Sequence, residues 1–270
     1  MYFITFSRKM GTSGSEIAQR VADQLGYALH DTEAIENMAR EMGFLNDVRN
    51  VDEKTPSLFT RFFSQKPEVH ADRLNSVIYE LASRGSAVFL GRGSHILLRS
   101  FECALHVRVT ASLEHRIQNL AARGIPWEEA VKLIQRSDYE RSGFIKLFFG
   151  LDWENSELYD VTLNMDHVTV NLAVETVLQM ARSEEGRTCS IDAMKSLEMM
   201  GLARRAEATL IESGLLQVPS VSVTEPGRVQ LIGVATSQAN KERIEQILMD
   251  VKGVKSIDNQ IKVVASYGKS

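Results

Sequence analysis

Short apolar runs alternate with helical repeats through the first 182 residues. That alternation constrains the chain to an α/β fold, a parallel sheet covered on both faces by helices. The run "YFITF" at 2–6 reads as a buried strand. From Ser15 the period changes: Ile17, Val21 and Leu25 recur every four residues with Ala18 and Ala22 beside them, one face of a helix. "YALHDTEAI" reads as a short strand entering a second helix. Residues 44–72 mix charges with aromatics and read as an irregular excursion, mobile or closing over a ligand. "LNSVIYELASRG" is helical, and "SAVFLGRGSHILL" is a strand, a glycine turn and a helix start. "ALHVRVTA" is a strand. "SLEHRIQNLAARG" is a helix with Leu113, Ile117 and Leu120 on one face. A long helical stretch follows, with Pro126 at its first turn. "YDVTLNMD" is the last strand of this series and "TVNLAVETVLQMARS" its last helix.

The polar stretch "RSEEGRTCS" (182–190) has no apolar period and marks a linker. The expected division is a domain at 1–182, a linker at 183–190 and a second domain at 191–266. Beyond the linker the order becomes helix, strand, strand, helix, strand. Two alternating runs in "VSVTEPGRVQLIGVAT" flank a Pro-Gly turn, a hairpin signal. Ser237 is placed to cap the helix of "SQANKERIEQILMDVKG", and "VKSIDNQIKVVA" reads as one closing strand.

A formal net charge of -4 over 270 residues gives no electrostatic reason to expect nucleic-acid binding. Cys103 and Cys189 have no metal-ligand spacing and read as reduced thiols of a cytosolic chain. "MYFITFSRKM" lacks a basic leader before a long apolar core, and no apolar run reaches the roughly 18 residues that span a bilayer. The expected location is cytoplasmic. The six histidines are scattered, so no structural metal is expected.

The first strand ends in "SRKMGTSGSE" (7–16), a Gly/Ser-rich turn before a helix. Successive backbone N–H groups in such a turn can converge on a phosphate at the helix N-terminus. The usual pattern ends in lysine and then Ser or Thr. Here Arg8 and Lys9 precede the turn, Gly11, Thr12, Ser13, Gly14 and Ser15 form it, and Glu16 follows. Taken alone, it fits a capped corner as well as a phosphate cradle.

Other basic residues fall where a ligand could use them. "FLGRG" puts Arg92 just past a strand end, where ligands bind in open α/β sheets and where a plain surface ion pair is equally common. Arg116 and Arg123 lie on the next helix, and Arg136, Asp138 and Arg141 on the long one. Asp138 and Arg141 are spaced to share a helix face, where they could simply pair or form a basic lid over a transferring phosphoryl group. Asp31 and Thr32 could touch a substrate or cap a helix.

The blocks "ITFSRKMGTSGSEIAQRVADQLGYALHD", "AVFLGRGSHIL", "HVRVTASLEHRI", "SDYERSGFIKLFFGLDW" and "LYDVTLNMD" occur in the order seen in the cytidylate kinase-like family, a branch of the P-loop nucleoside monophosphate kinases. The resemblance covers about residues 1–182. It implies a doubly wound P-loop kinase fold, ATP with Mg²⁺ arriving on the nucleotide, and phosphoryl transfer to a nucleoside monophosphate. Residues 8–16 would hold the donor phosphates, Asp31 and Thr32 would lie near the acceptor, and Arg92 would contact its phosphate. Asp138 and Arg141 match the D-x-x-R end of the lid motif. The family's loop lysine is absent, with Gly14 or Ser15 nearest its place, so Lys9, Arg136 or Arg141 must supply that charge. Asn37 or a residue beside it stands where the family has an acceptor-side arginine a few residues after Asp31, with Arg40 nearby, and Asn164 stands where an aspartate is common. A nucleotide sensor without turnover is the alternative implied by the missing lysine.

Residues 191–265 resemble a BON domain, with Gly233, Gly253, Val254 and Asn259 fitting its pattern. That resemblance implies a regulatory module whose partner is a small ligand, a lipid surface, a protein or a second copy of the chain. Gly253 and Asn259 themselves read as turn chemistry.

Overall fold

A computed structural model describes residues 2–51, 67–183, 190–215 and 218–264. Most of the candidate linker (184–189) and residues 52–66 of the expected excursion lie outside the described residues. Five strands form one parallel sheet: β1 (Phe3–Arg8), β2 (Ala28–His30), β3 (Ala87–Leu90), β4 (Ala104–Thr110) and β5 (Val161–Asn164). Their order is β2-β3-β1-β4-β5. β2 and β3 lie on one side of β1 and β4 and β5 on the other, so the topological switch falls at β1. In open α/β sheets ligands bind at the carboxyl ends of strands beside such a switch.

The flanking helices are α1 (Gly14–Leu25), α2 (Thr32–Glu41), α3 (Leu45–Asn50), α4 (Pro67–Ser83), α5 (Ser94–Leu97), α6 (Leu113–Ala121), α7 (Trp127–Phe149) and α8 (Val170–Arg182). Strand period two sorts the core. Ile4, Phe6, Val107 and Val109 cluster with Ile17 and Val21 of α1 and Val174 and Val177 of α8. Phe3 and Phe89 cluster on the other face with Ile35, Val77, Ile78 and Phe144 from α2, α4 and α7. On that second face the alternation brings four polar residues into the interior, Thr5, Ser7, His106 and Arg108, all buried. Two of the four, Ser7 and Arg108, lie in the C-terminal halves of their strands, toward the loop that follows β1.

Residues 44–72 are less irregular than their composition suggests. They contain α3, and α4 starts at Pro67, ahead of the Leu74 expected. Val69, Leu74, Val77 and Ile78 are buried. They form an apolar stripe whose first turn is too short to stand out among charges. Cys103 is disulfide-bonded, against the expectation of a reduced thiol. The chain's other cysteine, Cys189, lies outside the described residues. Sequence spacing carries no information on which thiols the fold brings near one another.

The C-terminal part contains α9 (Ile191–Glu212), β6 (Ser220–Glu225), β7 (Arg228–Ile232), β8 (Val234–Ala235), α10 (Gln238–Met249), β9 (Ser256–Asn259) and β10 (Lys262–Val263). β6 and β7 form the expected antiparallel hairpin, with Gly227 at φ 87° in its turn. The expected single closing strand is two: β9 pairs with β7 and β10 with β8, in separate sheets. The break falls where Ile261 turns inward and its N–H donates to Asn259 Oδ1 at 3.2 Å.

α9 is apolar on more than one side because it packs in two directions. Leu197 is buried in the same cluster as Val77 and Phe89. Leu202, Ala206 and Leu210 pack against Val229, Leu231 and Ile244. Gly201 faces α4, where a Cβ would make ordinary contact with Tyr79 at 3.5 Å. Arg204 reaches Asp72 on α4 at 3.4 Å, and Arg73 of α4 pairs with both Asp47 of α3 and Glu212 of α9. Among the described residues no helix is long and apolar enough to cross a membrane.

Candidate functional site

The turn after β1 winds through two left-handed residues, Gly11 at φ 83° and Ser13 at φ 59°. Ser13 gains nothing intrinsic from that conformation, which costs a non-glycine residue about 1–2 kcal/mol. Its carbonyl accepts the first α1 hydrogen bond, from Ile17 N at 3.0 Å. The first N–H groups of α1 have no carbonyl one turn back and stay open to an anion. Gly14 cannot carry a side chain, since a Cβ would stand 2.7 Å from Arg8 Cβ. Gly11 is equally confined, with the Arg116 carbonyl 2.7 Å from its would-be Cβ. Thr12 is buried and its hydroxyl donates to Lys9 O at 2.8 Å, closing the turn.

Side chains from α6 hold the outer side of this loop. Arg116 Nε donates to Met10 O at 2.7 Å, and Asn119 Nδ2 donates to Gly11 O at 2.8 Å. These contacts fix the loop beside a cleft of about 260 Å³ that its residues 8–16 line. Arg8, Lys9, Ser15, Arg123 and Arg141 join the glycines in its lining. Arg141 comes from α7, and its Nη1 donates to Ser137 Oγ. It also borders a second, smaller hollow with Ser7, Arg8, Gly93, His95 and Trp153, so it stands between the loop and the turn after β3.

The other expected residues are dispersed. Asp138 faces Arg116, not Arg141, through two N–H···O contacts of 2.8 Å. Helical spacing made Arg141 a neighbour, but the buried guanidinium of Arg116 needs a counter-charge and takes Asp138. Arg136 points outward and pairs with Glu140 at 2.7 Å, with its side chain 68% exposed. Asp31 caps α2, its Oδ1 accepting from Ala34 N at 3.0 Å, and Thr32 is the helix's first residue. Arg92 lies in three consecutive left-handed residues, Gly91 at 80°, Arg92 at 57° and Gly93 at 72°. That turn drives its side chain inward. Arg92 is 1% exposed and donates to the Val48 and Val51 carbonyls at 3.4 and 3.3 Å, at the end of α3. His30, beside Asp31, packs against Phe89 with tilted rings whose centroids are 4.9 Å apart. Burial, helped by Arg84, lowers its pKa to about 4.

Beside the loop stands a polar layer with no motif-like signature in the sequence. Arg108 of β4 donates to Trp153 O and, at 3.1 Å, to Tyr159 Oη. Trp153 Nε1 donates to Ser7 Oγ at 2.8 Å. Arg108 lies over both rings, 4.9 Å from the centroid of Trp153 and 5.0 Å from that of Tyr159. Burial raises the Tyr159 hydroxyl above its ordinary range. Thr5 Oγ1 and His106 Nδ1 are 2.8 Å apart, and burial holds His106 below the usual imidazole range. The one legible hint was a buried-strand pattern with polar residues where Val or Ile would be expected.

A cleft of about 1030 Å³ opens elsewhere, between α4, the end of α7 and α9, with Asp72, Tyr79, Lys146 and Arg204 among its lining. None of the expected site residues borders it. Among the described residues no group of three or more His, Cys, Asp or Glu side chains is placed to hold a metal ion.

The profile of the cytidylate kinase-like family matches residues 3–167, and that of the BON domain matches residues 201–265. A cytidylate kinase of Ignicoccus hospitalis is 26% identical over 67% of this chain and 99% of its own length. A cytidylate kinase of Pyrobaculum aerophilum is 25% identical over 66% of this chain and 91% of its own. A solved structure of an uncharacterized protein from Eubacterium ventriosum superposes with a TM-score of 0.54 at 19% identity, covering 66% of this chain and 97% of its own, which is a likeness of fold.

Proposed function

The chain belongs to the cytidylate kinase-like family, and from that premise we propose ATP-dependent phosphoryl transfer to a nucleoside monophosphate. One observation carries the reading: a loop with two sterically confined glycines and a left-handed Ser13 lines a cleft shared with Lys9, Arg123 and Arg141. A backbone held this way against its own preference is accounted for by an anion that needs it.

In this reading residues 8–15, through Arg8, Lys9 and the amides from Gly11 to Ser15, bind the donor phosphates. A phosphate oxygen of the acceptor attacks the γ-phosphorus of ATP while the bond to ADP breaks, and Arg141 neutralises charge gathering between them. Asp138 and Arg136 act behind it, the first by fixing Arg116 and the loop, the second at the outer edge of α7. Asp31, Thr32 and Arg92 shape the acceptor side, Arg92 by holding the end of α3. The exposed hydroxyl of Ser15 suits a hard ion that arrives on the phosphates, and Mg²⁺ bound there would neutralise the transferring group. The test is incubation with Mg²⁺-ATP and each of CMP, dCMP, UMP, AMP and GMP. Phosphorylation of at least one is expected, and none across the panel overturns the reading.

The missing lysine after Gly14 favours a second reading, a sensor that binds nucleotide without turnover. Calorimetric binding of ATP with no product supports it. We further propose the division into a kinase-like domain at 1–182, a linker at 183–190 and a BON-like module at 191–266. The module would respond to a small ligand, a lipid surface or a protein.

A further inference from the structure

The site as described lacks a strong cation where the loop lysine would stand. Two cations meet nearby, held by one carboxylate oxygen. Lys9 Nζ is 3.2 Å from Glu154 Oε1, and Arg108 Nη2 is 2.8 Å from the same atom. The three members differ in freedom. Arg108 has a side chain 5% exposed, between the rings of Trp153 and Tyr159, and it is fastened to the Trp153 carbonyl and the Tyr159 hydroxyl. It cannot retreat. Lys9 follows β1 directly, with its own N–H bonded to Val109 O at 3.0 Å, and it lines the loop cleft. Glu154 is 54% exposed and can swing into water without leaving a void.

A buried fixed cation, a second cation facing the phosphate cleft and a half-exposed carboxylate between them make an anion site in which the carboxylate oxygens stand in for phosphoryl oxygens. We infer that Glu154 is the displaceable counter-ion of a phosphate subsite formed by Lys9 and Arg108, and that this pair takes the part of the lysine absent after Gly14. The ligand class is the polyphosphate of a nucleoside triphosphate. The inference rests on the proposed reading that the loop binds nucleotide phosphates. Trp153 ties the subsite to the rest of the machinery: its indole N–H is held by Ser7 of β1, and it borders the hollow shared by Arg8 and Arg141. Glu154 in this scheme is a positioning residue. It keeps two like charges together until a phosphate replaces it.

The sign of one substitution separates this from an ordinary structural ion pair. Losing a structural partner weakens the site, whereas losing a displaceable counter-ion strengthens anion binding. Full-length wild type, E154Q, K9M and the double variant are titrated calorimetrically with inorganic tripolyphosphate and with Mg²⁺-ATP, and turnover is followed separately. E154Q is expected to bind tripolyphosphate about 5–10-fold tighter, within the usual range of coupling between charged sites. K9M is expected to bind it more weakly, and the double variant to lose the gain. Unchanged or weaker binding by E154Q overturns the inference. In wild type, carbodiimide labelling of Glu154 should rise when tripolyphosphate saturates the protein, and no rise also overturns it. Turnover that is present with E154Q binding like wild type leaves the kinase reading standing and this inference fallen. Tighter tripolyphosphate binding without turnover does the reverse. Absence of binding by wild type removes both.

Discussion

Arg116 grips Asp138 through two parallel N–H···O contacts of 2.8 Å while its Nε donates to the Met10 carbonyl at 2.7 Å. One guanidinium therefore fastens the loop after β1 to α7, the helix that also delivers Arg141 to the same cleft. Loop and arm share a joint, so the geometry of the donor side depends on a pair that touches no ligand.

Removing Asp138 leaves Arg116 buried without its counter-charge, which costs about 3 kcal/mol for a pair of this kind. D138A should lower stability in chemical denaturation and weaken ATP binding in the same preparation. R116K keeps the charge and loses the two-pronged geometry, so it should recover little. In a double-mutant cycle R116A and D138A should be strongly non-additive, because they share one interaction.

Substituting Gly14 by alanine puts a methyl carbon 2.7 Å from Arg8 Cβ, in a loop with no slack. Overpacking of this sort costs about 1–3 kcal/mol. G14A is expected to lose ATP binding by calorimetry while far-UV circular dichroism shows an intact fold. ATP affinity equal to wild type would place the phosphates elsewhere.

Leu197 is fully buried in the cluster of Phe3, Val77 and Phe89 although it lies on α9, the first helix after the proposed linker. L197A should cost about 2–5 kcal/mol. Because α9 also packs on Val229 and Leu231, the variant should still melt in a single calorimetric transition, shifted down for both halves together. Two separated transitions in the wild type would show that α9 does not couple them.

Acid should act on stability through two groups of opposite sign. His30, lowered to about 4 by burial and Arg84, binds fewer protons folded than unfolded between about 4 and its ordinary 6.5. Its stabilising contribution is complete above pH 6.5 and is lost as pH falls toward 4. Asp72, raised to about 6 by burial against the pull of Arg204, binds more protons folded than unfolded between 3.8 and about 6. Its contribution is most favourable at low pH and is lost as pH rises through 6. Solvent reaches both groups, so each effect should be about 1 kcal/mol or less. H30Q should flatten the loss of Tm between pH 6.5 and 4.5, and D72N should raise Tm at pH 7 more than at pH 4.5. Parallel pH profiles for both variants and wild type would refute these assignments.

The alternation of strands and helices, the hairpin around Gly227 and the turn at Gly11–Gly14 are legible in the sequence because each depends on residues within a few positions of one another. Period two, period 3.6 and glycine's backbone freedom are local properties, and they determine the elements and their order. The loop was legible only as a glycine turn before a helix, which fits a capped corner as well as an amide cradle; that Gly11 admits no side chain is decided by the Arg116 carbonyl, brought there by the packing of α6. The partners of its charges were not legible. Asp138 could have paired with Arg141 by helical spacing, yet the burial of Arg116 decided for Arg116. Arg92 past the strand end fitted a ligand contact or a surface ion pair alike, and three consecutive left-handed residues are what turn its side chain inward to the end of α3. Lys9, Arg108 and Glu154 come from three distant segments, and α9 reads as one helix though its two ends serve different cores. Which charge meets which is set by the free energy of leaving a charge buried and unpaired, and only the packed chain determines which charges are buried.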